Sequence, residues 1–314
     1  MADLSSAHDS FVRAILADRQ VATDYFRTTL PDHLVQKLDF STLQQQPCSY
    51  VSGELRRSIS DVVYSCHIAG SRTKVEVCLL IEHKSYRDKY TPLQIGSYLY
   101  SGYLQQVKQG RKQLSPIIPV LFYHGKQKWE YHTAAELFGD LQKELLPYIP
   151  DFQYIYHNLR ELPDEDLRGL ENRFLAASLL ILKYSFDKDW LQGNFTAVLS
   201  IGLAEGSHDL KQALLLYFLG RMELPEEQVK QVIQELPSSI QEDVMSTYEL
   251  ILEKGRMEER ARLEHLLQEE RARAEAEKKA EKRTTALYLK NLGMAVAEIA
   301  IATRLSIEEI ENLK

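Results

Sequence analysis

Cysteine is scarce in this chain of 314 residues. Only Cys48, Cys66 and Cys78 are present, and no two of them form a Cys-x-x-Cys pair. An odd number of cysteines without paired spacing argues against a disulfide framework and against a zinc site. We therefore expect each cysteine to be a small buried side chain in a reducing compartment.

Long apolar runs are also missing, although hydrophobic residues make up 44% of the chain. No run approaches the roughly 20 residues that a membrane-spanning helix needs. The first ten residues contain two acids and no Lys or Arg, whereas a signal peptide begins with a basic region. These absences predict a cytoplasmic protein with no membrane partner.

Positive charge is in deficit overall, because the net charge is −7. The distribution is uneven, however. Between Tyr50 and Glu130 there are twelve Lys and Arg against six Asp and Glu, so this segment carries +6 and the remainder −13. A basic segment in an acidic chain is typical of proteins that bind a phosphate backbone. This pattern favours DNA as a partner, and a solvated basic surface is the alternative interpretation.

The segment Ser60–Lys84 is the most informative part of the chain. Two runs rich in β-branched and aromatic residues flank Ala69–Arg72, which supplies turn residues, so the segment predicts a β-hairpin. A turn near Ser71 and Arg72 pairs positions whose numbers add to about 143. This register sets Asp61 opposite Glu82, with Cβ atoms roughly 4.5–5.5 Å apart.

Lys84 follows Glu82 by two residues, so both should project from the same face of the strand. The preceding run Val77–Ile81 is apolar throughout, which is typical of a strand covered on both faces. Charged groups at the end of such a strand are costly unless they are paired or bind a metal. Two hypotheses remain open: a structural ion pair of Lys84 with Asp61 or Glu82, or a functional cluster of two carboxylates and a lysine.

The same residues carry a resemblance to a known family. The order of an Asp, a hairpin and Glu-x-Lys resembles the PD-(D/E)XK nuclease signature. The wider sequence resembles the Rpn family of recombination-promoting nucleases, also described as putative YhgA-like transposases. The segments that carry this resemblance are His8–Phe11, Leu30-Pro31, Leu55–Asp61, Leu80–Ser85 and Ile118–Gly125. One departure is Lys84, where many family members have Gln.

The resemblance implies a DNA endonuclease that promotes recombination or mobile-element activity and depends on Mg²⁺ or another divalent cation. Asp61 and Glu82 would bind the cation, and the backbone carbonyl of His83 would complete its coordination. Lys84 would orient the attacking water or stabilise charge in the transition state, so the catalytic set is Asp61, Glu82 and Lys84. Gln94 is a possible accessory residue. The alternative function is a catalytically inactive DNA-binding or scaffold protein that retains the nuclease fold.

Asp9 is a second possible accessory residue, and its other predicted role is the N-cap of a helix over Asp9–Leu30. Further helices are predicted over Pro92–Gln109, with an apolar stripe that contains Leu93, Tyr100 and Leu104, and over Asp164–Tyr184. Pro116–Tyr123 reads as a strand apolar on both faces. His124 follows it, either as an ordinary loop histidine or as a contact to substrate phosphate.

The predicted fold is α/β: a PD-(D/E)XK-like mixed sheet flanked by helices over residues 1–162, followed by a helical domain over 163–252. A charged helical linker over 253–285 leads to a helix-turn-helix-like module over 286–314. In that module Ser306 and Glu309 form a predicted capping box. The acids of its last helix favour packing or protein contact over reading of DNA sequence. Homo-oligomerisation through these C-terminal helices is also expected.

Overall fold

The computed structural model of the protein describes residues 4–46, 62–70, 76–84, 86–150, 152–222 and 224–313, with backbone alone at 4–6, 76–83, 239 and 243. The chain forms two compact units, Met1–Tyr248 and Glu249–Lys314. The finer division into four parts at residues 162, 252 and 285 stays a prediction.

The first unit contains a sheet of five strands among the described residues. The strands are β1 Leu38–Gln46, β2 Val62–Ile68, β3 Glu76–Lys84, β4 Ile117–Tyr123 and β5 Ile155–Asn158. They lie in the order β1-β2-β3-β4-β5, with β1, β2 and β3 antiparallel and β3, β4 and β5 parallel. The predicted mixed α/β fold is therefore confirmed at this level. The strand predicted to end at Tyr123 is confirmed as β4.

The register of β2 against β3 agrees with the prediction from the sequence. Val62 lies opposite Ile81 and His67 lies opposite Glu76, so the numbers of each pair add to 143. Asp61 lies outside the described residues, so its pairing with Glu82 stays a prediction.

Helices make up most of the rest of the first unit. They are α1 Leu4–Ala17, α2 Arg19–Thr29, α3 Asp32–Val35, α4 Thr91–Lys108, α5 Asp164–Arg168, α6 Arg173–Lys183, α7 Lys188–Gly202, α8 His208–Met222 and α9 Glu226–Gln234. The helix α10, Ser238–Asn291, begins in the first unit and ends in the second. The second unit also contains α11 Val296–Thr303 and α12 Ile307–Glu311.

Two of the predicted helices are wrong in their continuity. The helix expected over Asp9–Leu30 divides into α1 and α2, because the carboxylate of Asp18 accepts hydrogen bonds from the N–H groups of Gln20 and Val21 and starts a new helix. The helix expected over Asp164–Tyr184 divides in the same way. The side chain of Asn172 caps α6 by accepting from the N–H of Leu175.

The sheet has α2 on one face and α4 on the other. Phe122 of β4 packs edge-to-face on Tyr25 of α2, with ring centroids 5.7 Å apart. The next residue, Tyr123, belongs to a core cluster with Ile95 and Leu99 of α4. Successive side chains of a strand point to opposite faces, so the two helices cover opposite faces of the sheet.

The helix α1 shares the face of α2. The hydroxyl of Tyr64 in β2 donates to the carbonyl of Leu16 at the end of α1, and the Tyr64 ring packs on Phe26 of α2. Burial raises the pKa of Tyr64 to about 12, so this donor keeps its proton. The contact holds the two helices against the antiparallel half of the sheet.

The bounds of α4 agree with the prediction to within one residue, but its predicted apolar stripe is wrong. Leu93, Tyr100 and Leu104 are 48%, 60% and 61% exposed. The face that packs on the sheet includes two glycines, and a Cβ at Gly102 would lie 2.5 Å from Ile117 of β4. Close approach of the helix backbone therefore decides which face of α4 is buried, not the number of apolar side chains.

The helices α6, α7 and α8 meet at Gly202, the last residue of α7. A Cβ at this position would lie 2.7 Å from the Cβ of Ala177 in α6 and 2.6 Å from Leu214 in α8. These distances are shorter than van der Waals contact, so the three helices pack closely only because position 202 has no side chain.

The second unit consists of helices. Residues 253–285 of α10 are exposed throughout, which confirms the predicted solvated helix. A small core closes the unit, made by Ala286, Ile299, Leu305 and Ile310. Ser306 and Glu309 form the predicted capping box at the start of α12. In the described part of the chain no helix is long and apolar enough to cross a membrane.

Candidate active site

The candidate site lies where β3 ends. Because β3, β4 and β5 are parallel, their carboxyl ends meet at one edge of the sheet. The backbone register places Glu82 opposite Leu121, His83 opposite Phe122 and Lys84 opposite Tyr123. The side chains of Glu82 and His83 lie outside the described part of the structure, as does Asp61, so their predicted metal ligation stays a prediction.

The side chain of Lys84 is described, and it is only 8% exposed. Its register partner Tyr123 packs toward α4, so Lys84 lies on the α4 face of the sheet. The Lys84 ammonium lies 5.5 Å from the centre of the Tyr86 ring. A buried ammonium requires compensation by anionic or polar groups.

Gln94 lies on α4, the helix that covers this same face. Its amide nitrogen donates to a carboxylate oxygen of Asp88 at 3.0 Å, and the other Asp88 oxygen accepts from the N–H of Tyr90. The buried amide oxygen of Gln94 has no hydrogen-bond partner among the described residues. Gln94 thus offers a buried acceptor near the loop that follows Lys84, and its accessory role stays a prediction.

Asp9 is half-buried within α1, which begins at Leu4. The predicted N-cap role is therefore wrong, because a cap precedes the first turn of its helix. α1 shares the face of α2, opposite to the face that carries Lys84. A role of Asp9 in the site stays a prediction.

Within the described ranges, no group of three or more His, Cys, Asp and Glu side chains could hold a metal ion. The predicted ligands Asp61 and Glu82 lie outside that comparison. Among the described side chains the one cysteine is Cys66, and it is buried as predicted.

Sequence reasoning missed a buried polar cluster next to this edge of the sheet. His8 and His124 are each 1% exposed, and their ring centroids lie 4.8 Å apart. The His8 imidazole is hydrogen-bonded to the Tyr217 hydroxyl at 2.5 Å, and burial raises the pKa of Tyr217 above its ordinary value. The only sequence signal was the presence of His8 and His124, because Tyr217 comes from distant α8.

His124 continues directly from β4, and its backbone N–H donates to the carbonyl of Lys84 at 3.2 Å. Its ring nitrogen Nδ1 lies 3.2 Å from the carbonyl oxygen of Leu182 in α6. His124 is therefore a buried residue of the loop after β4, and it joins the end of β3 to the helical layer.

His157 of β5 is a second buried histidine with a defined partner. Its Nδ1 is hydrogen-bonded to the Tyr25 hydroxyl at 3.0 Å, and its ring packs near Phe122. Burial lowers the pKa of His157 to about 4, so the imidazole is neutral at pH 7. This residue supports the sheet from the α2 face.

Most of the chain matches a known protein family. The family model described as "Putative transposase, YhgA-like" matches residues 6–211, which is more than half of the chain. The chain belongs to this family. The matched region contains the five described strands and the edge at which Lys84 lies. Together with the curated relatives, this match confirms the resemblance to the Rpn family.

Several curated relatives are Rpn proteins of Escherichia coli. The chain is 26% identical to "Recombination-promoting nuclease RpnA" of strain K12 over 187 residues, 59% of this chain and 62% of that protein. It is 26% identical to "Recombination-promoting nuclease RpnD" of strain O157:H7 over 239 residues, 74% of this chain and 88% of that protein.

A third relative of strain K12 is named "Inactive recombination-promoting nuclease-like protein RpnE". It is also 26% identical over 187 residues, which are 59% of this chain and 60% of that protein. The alignments to RpnA and RpnE thus span less than two thirds of those relatives. No solved structure matches the chain.

Proposed function

We propose that this chain is a metal-dependent DNA endonuclease of the PD-(D/E)XK type that promotes recombination or mobile-element activity. The observation that carries the proposal is the register of β2 and β3. Extended by one pair, this register would bring Asp61 opposite Glu82, two residues from the buried Lys84. Membership of a family with relatives named nucleases supports the same function.

The proposed donors fit a hard divalent cation. The carboxylates of Asp61 and Glu82 and the backbone carbonyl of His83 supply only oxygen, the ligand type that Mg²⁺ prefers together with water and phosphate. When bound, such a cation polarises the phosphodiester and lowers the pKa of a bound water. In this proposal the two carboxylates would also compensate the charge of the buried Lys84 ammonium.

Lys84 would act on the reacting groups directly. Its ammonium can orient the attacking water by hydrogen bonding, and it can stabilise negative charge on the phosphorane-like transition state. The low exposure of Lys84 strengthens both effects, because a charge in a water-poor environment is less screened. Gln94 and Asp9 would act as accessory residues that support this arrangement.

The alternative is a DNA-binding or scaffold protein without catalysis. The observation that favours it is the relative RpnE, which is named inactive and is as similar to this chain as RpnA is. Against it, the chain retains an Asp, a Glu and a Lys in the order of the nuclease signature, at Asp61, Glu82 and Lys84.

The test is cleavage of supercoiled plasmid DNA with Mg²⁺, with EDTA as the metal-free arm. We expect Glu82→Gln and Asp61→Asn to reduce the cleavage rate at least about 100-fold, because each removes a charged metal ligand. Cleavage by both variants at the wild-type rate would overturn the site assignment. DNA binding without cleavage by the wild-type chain would instead support the scaffold function.

A matched control is Glu76→Gln. Glu76 lies in the same strand as Glu82 but at its opposite end, opposite His67. This variant removes the same charge from β3 and should cut DNA at the wild-type rate. Equal loss of cleavage in both Glu variants would point to general disruption of the strand.

A further inference from the structure

A cleft of about 850 Å³ opens next to the carboxyl edge of the parallel strands. His124 and Gly125 line it where β4 ends, and Arg160 lines it just beyond β5. The end of α6 and the start of α7 form the rest of the wall. Pockets of roughly 300–1,000 Å³ hold ligands larger than a single small ion, so the cleft has room for more than one phosphate-bearing group.

The charged residues that line the cleft are mainly cationic. They are Lys126, Arg160, Lys183 and Lys188, with Asp187 and Asp189 as the acids. One acid is already engaged, because the carboxylate of Asp187 caps α7 by accepting from the N–H of Trp190. Lys183 is engaged as well, since its ammonium lies 2.6 Å from a carboxylate oxygen of Asp164.

Lys126 and Arg160 are the exposed cations held in place by the two strand ends. Arg160 donates one N–H to the carbonyl of Lys126, which ties the loop after β5 to the loop after β4. A guanidinium has five N–H donors, so others can reach a ligand. The Lys126 ammonium lies 5.4 Å from the centre of the Phe186 ring, also in the cleft wall.

Aromatic side chains complete the wall. Tyr184 stacks on Trp190 with ring centroids 3.8 Å apart and planes 10° apart. Phe186 stacks on His124 with centroids 5.8 Å apart. Cations interleaved with aromatic rings are typical of surfaces that bind nucleic acid, where the cations pair with backbone phosphates.

The cleft is joined to the candidate active site by the backbone. The N–H of His124 donates to the carbonyl of Lys84, so the lining of the cleft starts at the residue that contacts the end of β3. Lys84 lies on the α4 face of the sheet, whereas His124 packs on α1 and α6, so DNA engaged at Lys84 would reach Lys126 and Arg160 by passing over the carboxyl edge of the strands.

We propose that this cleft binds the phosphate backbone of the DNA substrate, with Lys126 and Arg160 as the phosphate contacts. The inference rests on the proposed nuclease function, and it adds a binding surface outside the hairpin that carries Asp61, Glu82 and Lys84. Arg160 also lies outside the basic segment that the sequence singled out.

The experiment measures binding of a fluorescein-labelled 30-base-pair DNA in EDTA, so that no cleavage occurs, at several salt concentrations. We expect the double variant K126Q/R160Q to bind at least about 10-fold more weakly, and its slope of log affinity against log salt to fall by about 2, one unit per lost phosphate contact. The conservative variant K126R/R160K should retain wild-type binding.

The matched control is K211Q/K230Q, which removes two positive charges from α8 and α9 at positions that do not line the cleft. It should bind DNA within about 2-fold of wild type, since it loses no phosphate contact. Unchanged affinity and salt slope in K126Q/R160Q would overturn the inference. An equal loss in K211Q/K230Q would do so too, because the effect would then follow overall charge.

These outcomes separate the inference from the proposed function. If Glu82→Gln abolishes cleavage while K126Q/R160Q binds like wild type, the nuclease assignment stands and the cleft is wrong. If the wild-type chain never cleaves DNA but K126Q/R160Q weakens binding with the expected salt slope, the cleft stands and the nuclease assignment is wrong.

Discussion

Lys84 and Lys290 are lysines of different units, and each lies at the end of a secondary-structure element. Lys290 in the second unit donates to the carbonyl oxygens of Ile310, Glu311 and Leu313 at 3.0–3.1 Å. Those carbonyls lie at and just beyond the end of α12, where a helix leaves most of its last carbonyls without intrahelical partners. Lys84 in the first unit is buried at the edge where three parallel strands end.

The difference shows that the structural environment of a lysine, and not its residue type, decides its role. Lys290 is fully accounted for as a cap of a helix C-terminus, where a positive charge is favourable. Lys84 is a charge at the end of an apolar strand, where burial of an ammonium is costly without compensating groups. More generally, the first unit buries polar groups at its sheet, whereas residues 253–285 of the second unit keep their charges in solvent.

The largest effect is expected when each lysine is exchanged for methionine, whose side chain has a similar length. Lys84→Met should lower the rate of plasmid cleavage at least about 100-fold, because an ammonium that stabilises developing charge is lost. Lys290→Met should cut DNA at the wild-type rate. If Lys84→Met cleaves as fast as Lys290→Met, the distinction between the two settings has no catalytic meaning.

A second prediction places acid sensitivity in the first unit. The pKa of His157 is lowered by burial to about 4, so below pH 6.5 the unfolded chain takes up a proton that the folded chain does not bind. Stability from this group is complete above pH 6.5 and is lost as the pH falls toward 4. We expect the free energy of unfolding to fall by about 2 kcal/mol between pH 7 and pH 5.

The measurement is urea unfolding followed by tryptophan fluorescence, since both tryptophans, Trp129 and Trp190, belong to the first unit. In His157→Gln the difference in stability between pH 7 and pH 5 should shrink by about 2 kcal/mol, because the titrating group is absent. The same slope in variant and wild type would assign the acid sensitivity to other groups.

A third prediction concerns the local stability of the second unit. Lys290→Met removes three hydrogen bonds from an ammonium to backbone carbonyls, and the half-exposed site weakens each of them. We expect the opening free energy of α11 and α12 to fall by about 1–2 kcal/mol. Amide hydrogen exchange in α11 measures it, and unchanged protection there would contradict the capping role.

The smallest expected effect is loss of the capping box. Ser306 accepts from the N–H of Glu309 at 3.1 Å, and the Glu309 carboxylate accepts from the N–H of Ser306 at 3.1 Å. Ser306→Ala should reduce the opening free energy of α12 by about 1 kcal/mol. A Ser306→Ala effect on hydrogen exchange larger than that of Lys290→Met would reverse the ranking of the two caps.

The sequence predicted the parts of the fold that depend on local chemistry. The β2–β3 register followed from a turn between two apolar runs, and the limits of α4 followed from Pro92 and Gly110. The breaks at Asp18 and Asn172 were missed because a polar residue on a helix surface and a cap look alike in sequence. Which face of α4 is buried could not be predicted, since it depends on close contact at Gly102.

Only part of the candidate site could be predicted from the sequence. Lys84 was identified from its position at the end of an apolar strand, and its side chain is buried in the structure. The cluster of His8 and His124 with Tyr217 joins residues from α1, the loop after β4 and α8. No pattern within one stretch of sequence indicates such a cluster, because it exists only when the helical layer packs against the sheet.

The close packing at Gly202 restricts which side chains family members can have at the facing positions. Because an added methyl group there would collide with Ala177 and Leu214, the volumes at these three positions are not independent. A member with a larger residue at the position of Gly202 should compensate with a smaller one at a facing position, so the pair should co-vary across family sequences. The spacing of the three helices would then depend on the summed side-chain volume at these positions, although the positions are far apart in the sequence.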